Sequence, residues 1–512
     1  MKDLKKLLCV LIALTILTAT LVACKKKDNN ESDSVSGDVS ESSTEDVEEY
    51  DEKGYLKDDL DTMDFGGKEI RVLGWKEKTN EMGISAEQMS ANPVNSAVYL
   101  RNVQVEKRMK LKFKYNYVTG AHGTMSDYLK AAEAAETSNE VDVYASYSRV
   151  ASSLMTRGYT TNLLDLEYLD FEKPWWSRSL IEKATIYDRL YFASGDIAPS
   201  LFENAFIMYF NKDMADIYLP DKLSAKGADS LYDLVSDGKW TLDTMIEFCK
   251  DVGSSVDDIK DSSDTFGFAC SPISLDAFYQ GSGMSALTVN NDGSIALSDD
   301  MSSVKVHDLI ETLVTFLKTK NAVSSGTYGG TEIEALKSWD NGRTLFYLEP
   351  VAAATKYSNA GLKFGILPVP KYDADQVEGY ITTTGFHYTM WSVSRTEDDE
   401  LLEAVGAGLE CMASESHRLV SPAHYDTMLR AQTSDSAEDY KMWETIKASV
   451  EIESGRVMDD MFNGQTWGLF RDCVMMRTTD YMSDYATASI KLNQGVLSLN
   501  RIMSSIETVY GN

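Results

Sequence analysis

The sequence predicts an α/β protein whose folded part has two lobes. Strand-like and helix-like hydrophobic patterns alternate between residues 69 and 146, and this order favours a mostly parallel sheet covered by helices. The chain has 512 residues, which is more than one hydrophobic core usually supports. Its composition, 43% hydrophobic and 25% charged, is that of ordinary globular proteins.

The first two dozen residues have the layout of a secretory signal. Lys2, Lys5 and Lys6 form a short positive region, and an apolar run follows from residue 7 to residue 22. This run is shorter than the ~20 apolar residues that a membrane-spanning helix needs. We therefore expect residues 1–23 to be a cleaved signal peptide.

The residues around the expected cleavage point carry a second signal. The sequence LVAC at 21–24 resembles the lipobox of bacterial lipoproteins. That resemblance implies cleavage before Cys24, attachment of lipid to its thiol, and tethering to the extracellular face of the cell membrane. Several acyl chains on one residue hold firmly where a single chain is marginal. The alternative is an ordinary signal peptide followed by a coincidental cysteine.

The net charge of −31 is only partly a property of the amino-terminal segment, and the rest lies on the surface of the folded part. Residues 28–61 contain fourteen acidic residues and two lysines, and the first part of this segment is too polar to form a core. Residues 24–61 are therefore predicted to form a flexible linker that self-repulsion extends. Nucleic-acid binding is disfavoured because the sequence has no basic stripe to neutralise phosphates.

The folded part opens with a strand, helix, strand, helix, strand pattern. In chain order these elements are expected at 69–74, 94–109, 111–117, 125–138 and 141–146. In parallel sheets of this kind, ligands bind outside the carboxyl ends of the strands. Trp75 follows the first strand, and Tyr144, Ser146 and Tyr147 lie at the end of the third. These four residues are the first candidates for a binding site.

Two further helices are predicted in the second half of the chain. Thr241 is a suitable N-cap, and the apolar residues from 242 to 249 recur at helical spacing. The stripe from Val306 to Leu317 predicts another helix with one buried face. Such stripes are typical of core packing rather than of a cofactor site.

Five motifs resemble those of extracellular solute-binding proteins, in the order in which that family has them. They are YFASGDIAPSLFENAFIMYFNKDM at 191–214, GKWTLD at 238–243, TFGF at 265–268, GRTLF at 342–346 and FGILPVPK at 364–371. The resemblance extends from about Glu69 to the helix after Arg395. It implies a two-lobed, periplasmic-binding-protein-like (type II) α/β fold with crossing hinge strands and a ligand cleft between the lobes.

The same resemblance implies how the chain is divided. Lobe 1 is expected to contain residues 62–200 and 368–413, and lobe 2 residues 201–367 and 414–512. Hinges are expected near 194–204 and 364–371. The implied function is that of a monomeric receptor, without a cofactor, that closes on a small solute and delivers it to the membrane permease of an ABC transporter.

The resemblance is specifically to the carbohydrate-binding branch and implies a sugar or oligosaccharide ligand. Sugars present apolar C–H faces and a ring of hydroxyls, which suit aromatic platforms flanked by polar side chains. Besides the four strand-end residues, the candidate ligand-binding residues are Asp142, Glu203, Asn204, Phe278, Tyr279, Glu349, His387 and Trp391. A receptor for oligopeptide or another solute remains an alternative, as does a secreted carbohydrate-active enzyme or adhesin.

Other chemistry has little support in the sequence. The five histidines are dispersed and no Cys/His cluster with zinc spacing occurs, so neither a metal site nor a catalytic triad is predicted. Residues 290–299 faintly resemble a calcium loop, but a hairpin turn at 291–293 explains them better. Four cysteines follow the signal and anchor, Cys249, Cys270, Cys411 and Cys473. They could pair in three ways or remain isolated buried thiols.

Overall fold

The computed structural model describes residues 50–254, 260–324, 331–425 and 436–510, apart from the side chains of 254, 331–334 and 506–510. The signal peptide and Cys24 lie outside these ranges. Every element below belongs to one compact unit, Tyr55–Asn512. Among the described helices, none combines the length and the apolar character needed to span a membrane.

The strands are β1 Lys68–Trp75, β2 Leu111–Val118, β3 Val143–Tyr147, β4 Phe206–Asn211, β5 Gly253–Ser254, β6 Thr265–Cys270, β7 Leu287–Val289, β8 Ile295–Leu297, β9 Ala322–Ser324, β10 Thr344–Pro350, β11 Phe364–Leu367, β12 Thr382–Thr383, β13 Thr389–Val393 and β14 Val450–Glu451.

The α-helices are α1 Pro93–Met109, α2 Met125–Ser138, α3 Ser148–Thr156, α4 Arg178–Ala184, α5 Ser200–Glu203, α6 Lys212–Tyr218, α7 Pro220–Ala225, α8 Leu231–Ser236, α9 Leu242–Cys249, α10 Asp276–Gly281, α11 Val304–Leu317, α12 Ala353–Asn359, α13 Asp399–Glu415, α14 Ala437–Ala448, α15 Ser454–Val457, α16 Gln465–Met475 and α17 Tyr481–Tyr510. Short 3-10 helices lie at Lys76–Glu81, Met89–Ala91, Leu163–Asp165, Pro272–Leu275, Asp299–Ser302, Thr331–Ser338 and Asp459–Phe462, and a π-helix at Ser416–Val420.

The first sheet has the strand order β13-β3-β1-β2. β1 pairs in parallel with β2 and β3, and β13 pairs antiparallel with β3. The alternating pattern that predicted β2 is visible in its burial, since Leu111 and Phe113 are buried while Lys112 and Lys114 are exposed. The predicted parallel sheet of the first third is confirmed.

The second sheet has the order β11-β4-β10-β6-β5, with β9 also paired to β6. β10 runs parallel to β6 and antiparallel to β4. Helix α9 begins as predicted at Thr241, whose side-chain hydroxyl accepts a hydrogen bond from the backbone N–H of Thr244. A separate hairpin joins β7 to β8, and its turn closes with a hydrogen bond from Asn290 N to Ser294 O of 2.7 Å. The predicted hairpin is confirmed.

Two hydrophobic cores correspond to the two sheets. The first contains β1, β3 and β13 side chains together with most of the buried residues of α13. The second contains the side chains of β4, β6, β10 and β11 with those of α9 and α11. Buried residues after residue 414 join both cores, with Ile452 and Leu499 in the first and Trp443 and Trp467 in the second. The lobe boundaries given above remain a prediction.

The chain crosses between the two cores at segments that pair with each other. The first crossing runs through α5 to Asn204, and the second passes it at Thr384 and Gly385. The N–H of Gly385 donates to the carbonyl of Asn204 at 2.7 Å. The second crossing therefore comes later than the predicted 364–371, because Phe364–Leu367 is a strand of the second sheet paired with β4. The helical residues 416–425 also return to this region.

The four described cysteines, Cys249, Cys270, Cys411 and Cys473, are buried and not in disulfides. Burial raises the pKa of each thiol. Of the two possibilities that the sequence left open, the structure has isolated buried thiols, which pack as small hydrophobic side chains.

Candidate ligand site at the lobe crossing

A row of aromatic rings lies where the strands of the first sheet meet the crossing. Trp75 ends β1, Tyr147 ends β3, and His387 comes two residues before β13. The ring centroid of Tyr147 lies 5.2 Å from that of Trp75 and 5.3 Å from that of His387. Trp75 and Tyr147 are buried, whereas His387 is exposed. The row therefore presents one polar ring to solvent, supported from behind by two large apolar ones.

The buried end of this row is fixed by hydrogen bonds. Trp75 Nε1 donates to Thr389 Oγ1 at 2.8 Å, and that hydroxyl in turn donates to the carboxylate of Glu81. The same carboxylate accepts from Ser200 through its backbone N–H at 3.1 Å and its hydroxyl at 3.0 Å. Burial raises the pKa of Glu81. These contacts bind the end of β1, the start of β13 and the first crossing into one unit.

Glu203 stands at the end of α5 between a lysine and a histidine side chain. Its carboxylate lies 3.0 Å from Lys78 Nζ and 2.7 Å from His424 Nε2. Burial alone would raise the pKa of Glu203, but the hydrogen bond and charge of His424 and the charge of Lys78 outweigh it and lower the pKa to about 2. The carboxylate is therefore ionised throughout the physiological range and connects the first crossing to both neighbouring segments.

Asn204 and His387 are held together across the two crossings. Asn204 Nδ2 donates to the carbonyls of Ser200 and His387, each at 2.9 Å. Partial desolvation, followed by the nearby charges of Lys78 and His122, lowers the pKa of His387. A neutral imidazole at pH 7 can donate one hydrogen bond and accept another. That combination suits a ligand hydroxyl, which also does both.

The second sheet contributes Glu349, which lies near the carboxyl end of β10. Burial raises the pKa of Glu349 to about 7, and hydrogen bonds from Ser271 and Tyr347 oppose the rise. The chain just beyond it contacts the first crossing, because Val351 N donates to the carbonyl of Ala205 at 2.9 Å. Strand ends of both sheets therefore meet at the crossing.

Three candidates from the first sheet lie away from the crossing in this structure. Asp142 precedes β3 at the opposite end of the strand, where its carboxylate accepts from the backbone N–H of Arg71 at 2.7 Å and from Arg71 Nε at 3.0 Å. Tyr144 is buried within β3, and its hydroxyl donates to Glu136 of α2. Trp391 is buried in the middle of β13. Asp142 is thus at the amino end of β3, while Tyr144 lies on the opposite face of that strand from Tyr147, because successive side chains of a strand point to opposite faces.

The remaining candidates are core residues. Ser146 is fully buried, and its hydroxyl has no hydrogen-bond partner within the described ranges. Phe278 and Tyr279 lie on α10 in the second core. The Tyr279 ring packs edge-on against Trp467 and Phe470. In this conformation the three side chains are 2% exposed or less, so their role as ligand contacts stays a prediction.

Several residues of the site carried no recognisable signal in the sequence. Lys78, Glu81 and Thr389 follow or precede strands without a motif, and Ser200 sits inside the family-like stretch as an ordinary small residue. His424 lies 221 residues from Glu203 along the chain. Only the position of Lys78 and Glu81 directly after β1, at the carboxyl edge of the sheet, could have suggested them.

One group of side chains has the spacing of metal ligands. The ligand atoms of His307, Asp308 and Glu311 lie within 4.8 Å of one another in the described part of the chain. They occupy the solvent-facing side of α11, away from the crossing, and Asp308 and Glu311 are exposed. Exposed acidic groups of this kind are common without a metal, so no metal is assigned to them.

Two packed lobes joined by adjacent crossing segments, with polar and aromatic groups gathered at the crossing, define the class of two-lobed binding proteins. The model for bacterial extracellular solute-binding proteins matches residues 105–448. The chain belongs to that family. A search of curated proteins gave no match.

Solved structures confirm the type II two-lobed fold. A family 1 extracellular solute-binding protein from Bifidobacterium longum subsp. infantis is 12% identical, with 86% of this chain and 100% of that chain covered and a TM-score of 0.51. A cyclo/maltodextrin-binding protein complexed with maltotetraose is 11% identical over 85% and 96% of the two chains, with a TM-score of 0.51. A cyclic alpha-maltosyl-1,6-maltose binding protein from Arthrobacter globiformis is 14% identical over 85% and 99%, with a TM-score of 0.50. At these identities the likeness concerns the fold.

Proposed function

We propose that this protein is the lipid-anchored receptor of an ABC importer and captures a sugar or oligosaccharide at the lobe crossing. The observation that carries the proposal is the meeting of segments from both cores at the crossing, where Asn204 bonds to His387 and Gly385 and the N–H of Val351, just after β10, donates to Ala205. A ligand held there contacts both lobes at once, so it stabilises the closed arrangement by its differential contacts.

The chemistry of the crossing favours a hydroxyl-rich ligand. The neutral imidazole of His387 is backed by the ring of Tyr147, and Asn204 and Glu349 add polar groups from the crossing and the second lobe. Aromatic rings beside mixed donors and acceptors are what a sugar requires. The named ligand in one structural relative, maltotetraose, is of this class.

The amino terminus supports the location of the receptor. The lipobox-like sequence at 21–24 and the acidic linker that follows it support a location of the folded part outside the cell but close to the membrane. Tethering maintains a high effective concentration of receptor beside a permease in the same membrane. The receptor itself is proposed to act as a monomer and without a cofactor.

The proposal is tested by screening thermal unfolding of the purified protein against sugars, oligosaccharides and oligopeptides. A selective ligand at about 100 times its Kd stabilises the folded state by about 2.7 kcal/mol and raises the unfolding midpoint. We expect at least one sugar to do so and to be recovered with unchanged mass. If only peptides raise the midpoint, the carbohydrate assignment is wrong; if the sugar is converted, the receptor assignment is wrong.

A pair of histidine variants localises the effect. His387→Ala removes the exposed ring at the crossing, and we expect the sugar Kd to rise about tenfold or more, the usual effect of losing a ligand hydrogen bond in a binding site. His307→Ala removes a histidine from α11, outside the site, and should leave the Kd unchanged. Equal effects of the two substitutions would show that the ligand does not bind at the crossing.

A further inference from the structure

A cavity lies beside the crossing and shares one residue, His424, with the site described above. Its volume is about 250 Å³. The first sheet continues past its edge strand β13 through a bridge between Trp391 and Ala193, and then through a bridge between Gly195 and Trp176. The cavity opens at Trp176, and is therefore separated by β13 and these two segments from the carboxyl ends of β1 and β3 where His387 lies.

The walls of this cavity, which we name the rear cavity, come from both lobes. Trp175 and Trp176 belong to the first core, whereas Phe202, Tyr425 and Val450 pack against the second. A rotation of one lobe relative to the other about the crossing therefore changes the distance between opposing walls. Whatever fills the rear cavity is coupled to the hinge.

Aromatic faces dominate the interior. The indole nitrogens of Trp175 and Trp176 both donate to the buried carboxylate of Glu410, at 2.8 and 2.9 Å. Their hydrogen-bonding capacity is thus used on the protein side. Trp175 is fully buried and Trp176 is 4% exposed, so these two residues contribute only a small area of ring surface to the cavity. Phe202 and Tyr425 add two more half-buried rings on the opposite side. This lining favours a planar apolar group.

The charges around the rear cavity favour an anion. Its one carboxylate, Asp196, already bonds His417 Nδ1 at 2.5 Å and the hydroxyl of Ser421 at 2.7 Å. Two exposed cations, Arg178 and Lys447, stand at its edge, but Arg178 is paired with Glu182 at 2.8 Å, so Lys447 is the one that an acidic ligand would meet. Lys447 Nζ lies 5.4 Å from the centre of the Tyr425 ring, a contact that leaves its charge available to an acidic ligand.

From this lining we infer that the rear cavity binds a small aromatic carboxylate, with its ring against the Trp176 and Tyr425 faces and its carboxylate at Lys447. Because both lobes form the walls, this ligand and the solute at the crossing each change the affinity of the other by the same factor. The protein then has two ligand sites, one on each side of its hinge. This inference does not depend on the solute being a sugar.

Binding is tested by calorimetric titration of the full-length protein with benzoate, phenylacetate and indole-3-acetate, and with phenylacetamide as an uncharged match. Ligands of this size bind in the high-micromolar to millimolar range. We expect saturable one-to-one binding of at least one acid below about 10 mM, and at least fivefold weaker binding of the amide, since charge-assisted contacts are roughly twice as strong as neutral ones. Lack of saturation by all three acids, or equal binding of phenylacetate and its amide, would overturn the inference.

Two lysines on α14 localise the acid. Lys447→Gln should weaken the binding of the acid by about fivefold. Lys441→Gln should leave the affinity for the acid unchanged, because Lys441 lies on the same helix but contacts Ser236 outside the cavity. Both side chains are exposed, so both variants should fold normally. If the two substitutions have equal effects, the acid binds somewhere other than the rear cavity.

Discussion

The ion pairs of Glu203 give the sharpest prediction about the crossing. Glu203→Gln keeps the size of the side chain but removes the negative charge between Lys78 and His424. The ordinary pKa of a glutamate is 4.5, and in the folded protein it is lowered to about 2. At 1.36 kcal/mol for each pKa unit, this difference corresponds to about 3 kcal/mol of stability in the ionised state.

The sign of the pH dependence follows from the lowered pKa. Since the folded protein holds the Glu203 carboxylate ionised, the stabilisation is fully present above about pH 4.5 and is lost as the pH falls towards 2. Urea unfolding at pH 7 should therefore show the variant less stable by about 3 kcal/mol, and at pH 3 by about 1.5 kcal/mol. Two-state analysis applies only if probes of the two cores give coincident transitions.

Glu182→Gln is the matched control, because Glu182 forms an exposed ion pair with Arg178 four residues before it on α4. Such pairs contribute little, so this substitution should cost less than about 0.5 kcal/mol at either pH. The reasoning is refuted if Glu203→Gln costs no more than this control, or if its cost is the same at pH 7 and pH 3.

Three further predictions concern other parts of the molecule. Burial raises the pKa of Glu410 to about 7, so the stability of the wild type should fall as the pH rises from 5 to 8. Glu410→Gln lacks this titration. In urea unfolding, the stability of the variant relative to that of the wild type should therefore increase by about 2.5 kcal/mol between pH 5 and pH 8. Trp75→Phe removes the indole N–H that donates to Thr389. The variant should be less stable by about 1–3 kcal/mol, because the buried hydroxyl of Thr389 loses this hydrogen bond. An unchanged thermal unfolding midpoint would contradict this prediction. Cys24→Ser should abolish incorporation of labelled fatty acid and release the protein from the membrane fraction, whereas lipid labelling that survives the substitution would exclude the proposed anchor.

Much of the secondary structure of the first lobe could be predicted from the periodicity of apolar residues in the sequence. The expected strands at 69–74, 111–117 and 141–146 correspond to β1, β2 and β3 within two residues, because alternating and continuous apolar runs reflect burial on one face or both. The N-cap at Thr241 and the buried stripe of α11 are likewise local properties of the sequence. The parallel pairing of the strands was predicted from the alternating order of strands and helices, and no individual residue indicated it.

The site was less predictable because it depends on register and on distant parts of the chain. Asp142 directly precedes β3, at the end away from the crossing, and Tyr144 lies on the opposite face of β3 from Tyr147, since a shift of one residue decides which face a side chain occupies. His424 reaches Glu203 from a carboxyl-terminal helix that no local pattern connects to the crossing. Trp75 and Tyr147 do lie at the site, yet they are buried supports beneath the exposed ring of His387.

The position of the bound solute in a crystal structure of the complex tests the central claim most directly. The account predicts a solute between the lobes, within hydrogen-bonding distance of His387 from the first lobe and of Glu349 or its neighbours from the second. A solute bound to one lobe alone, or found in the rear cavity with the crossing empty, would contradict it.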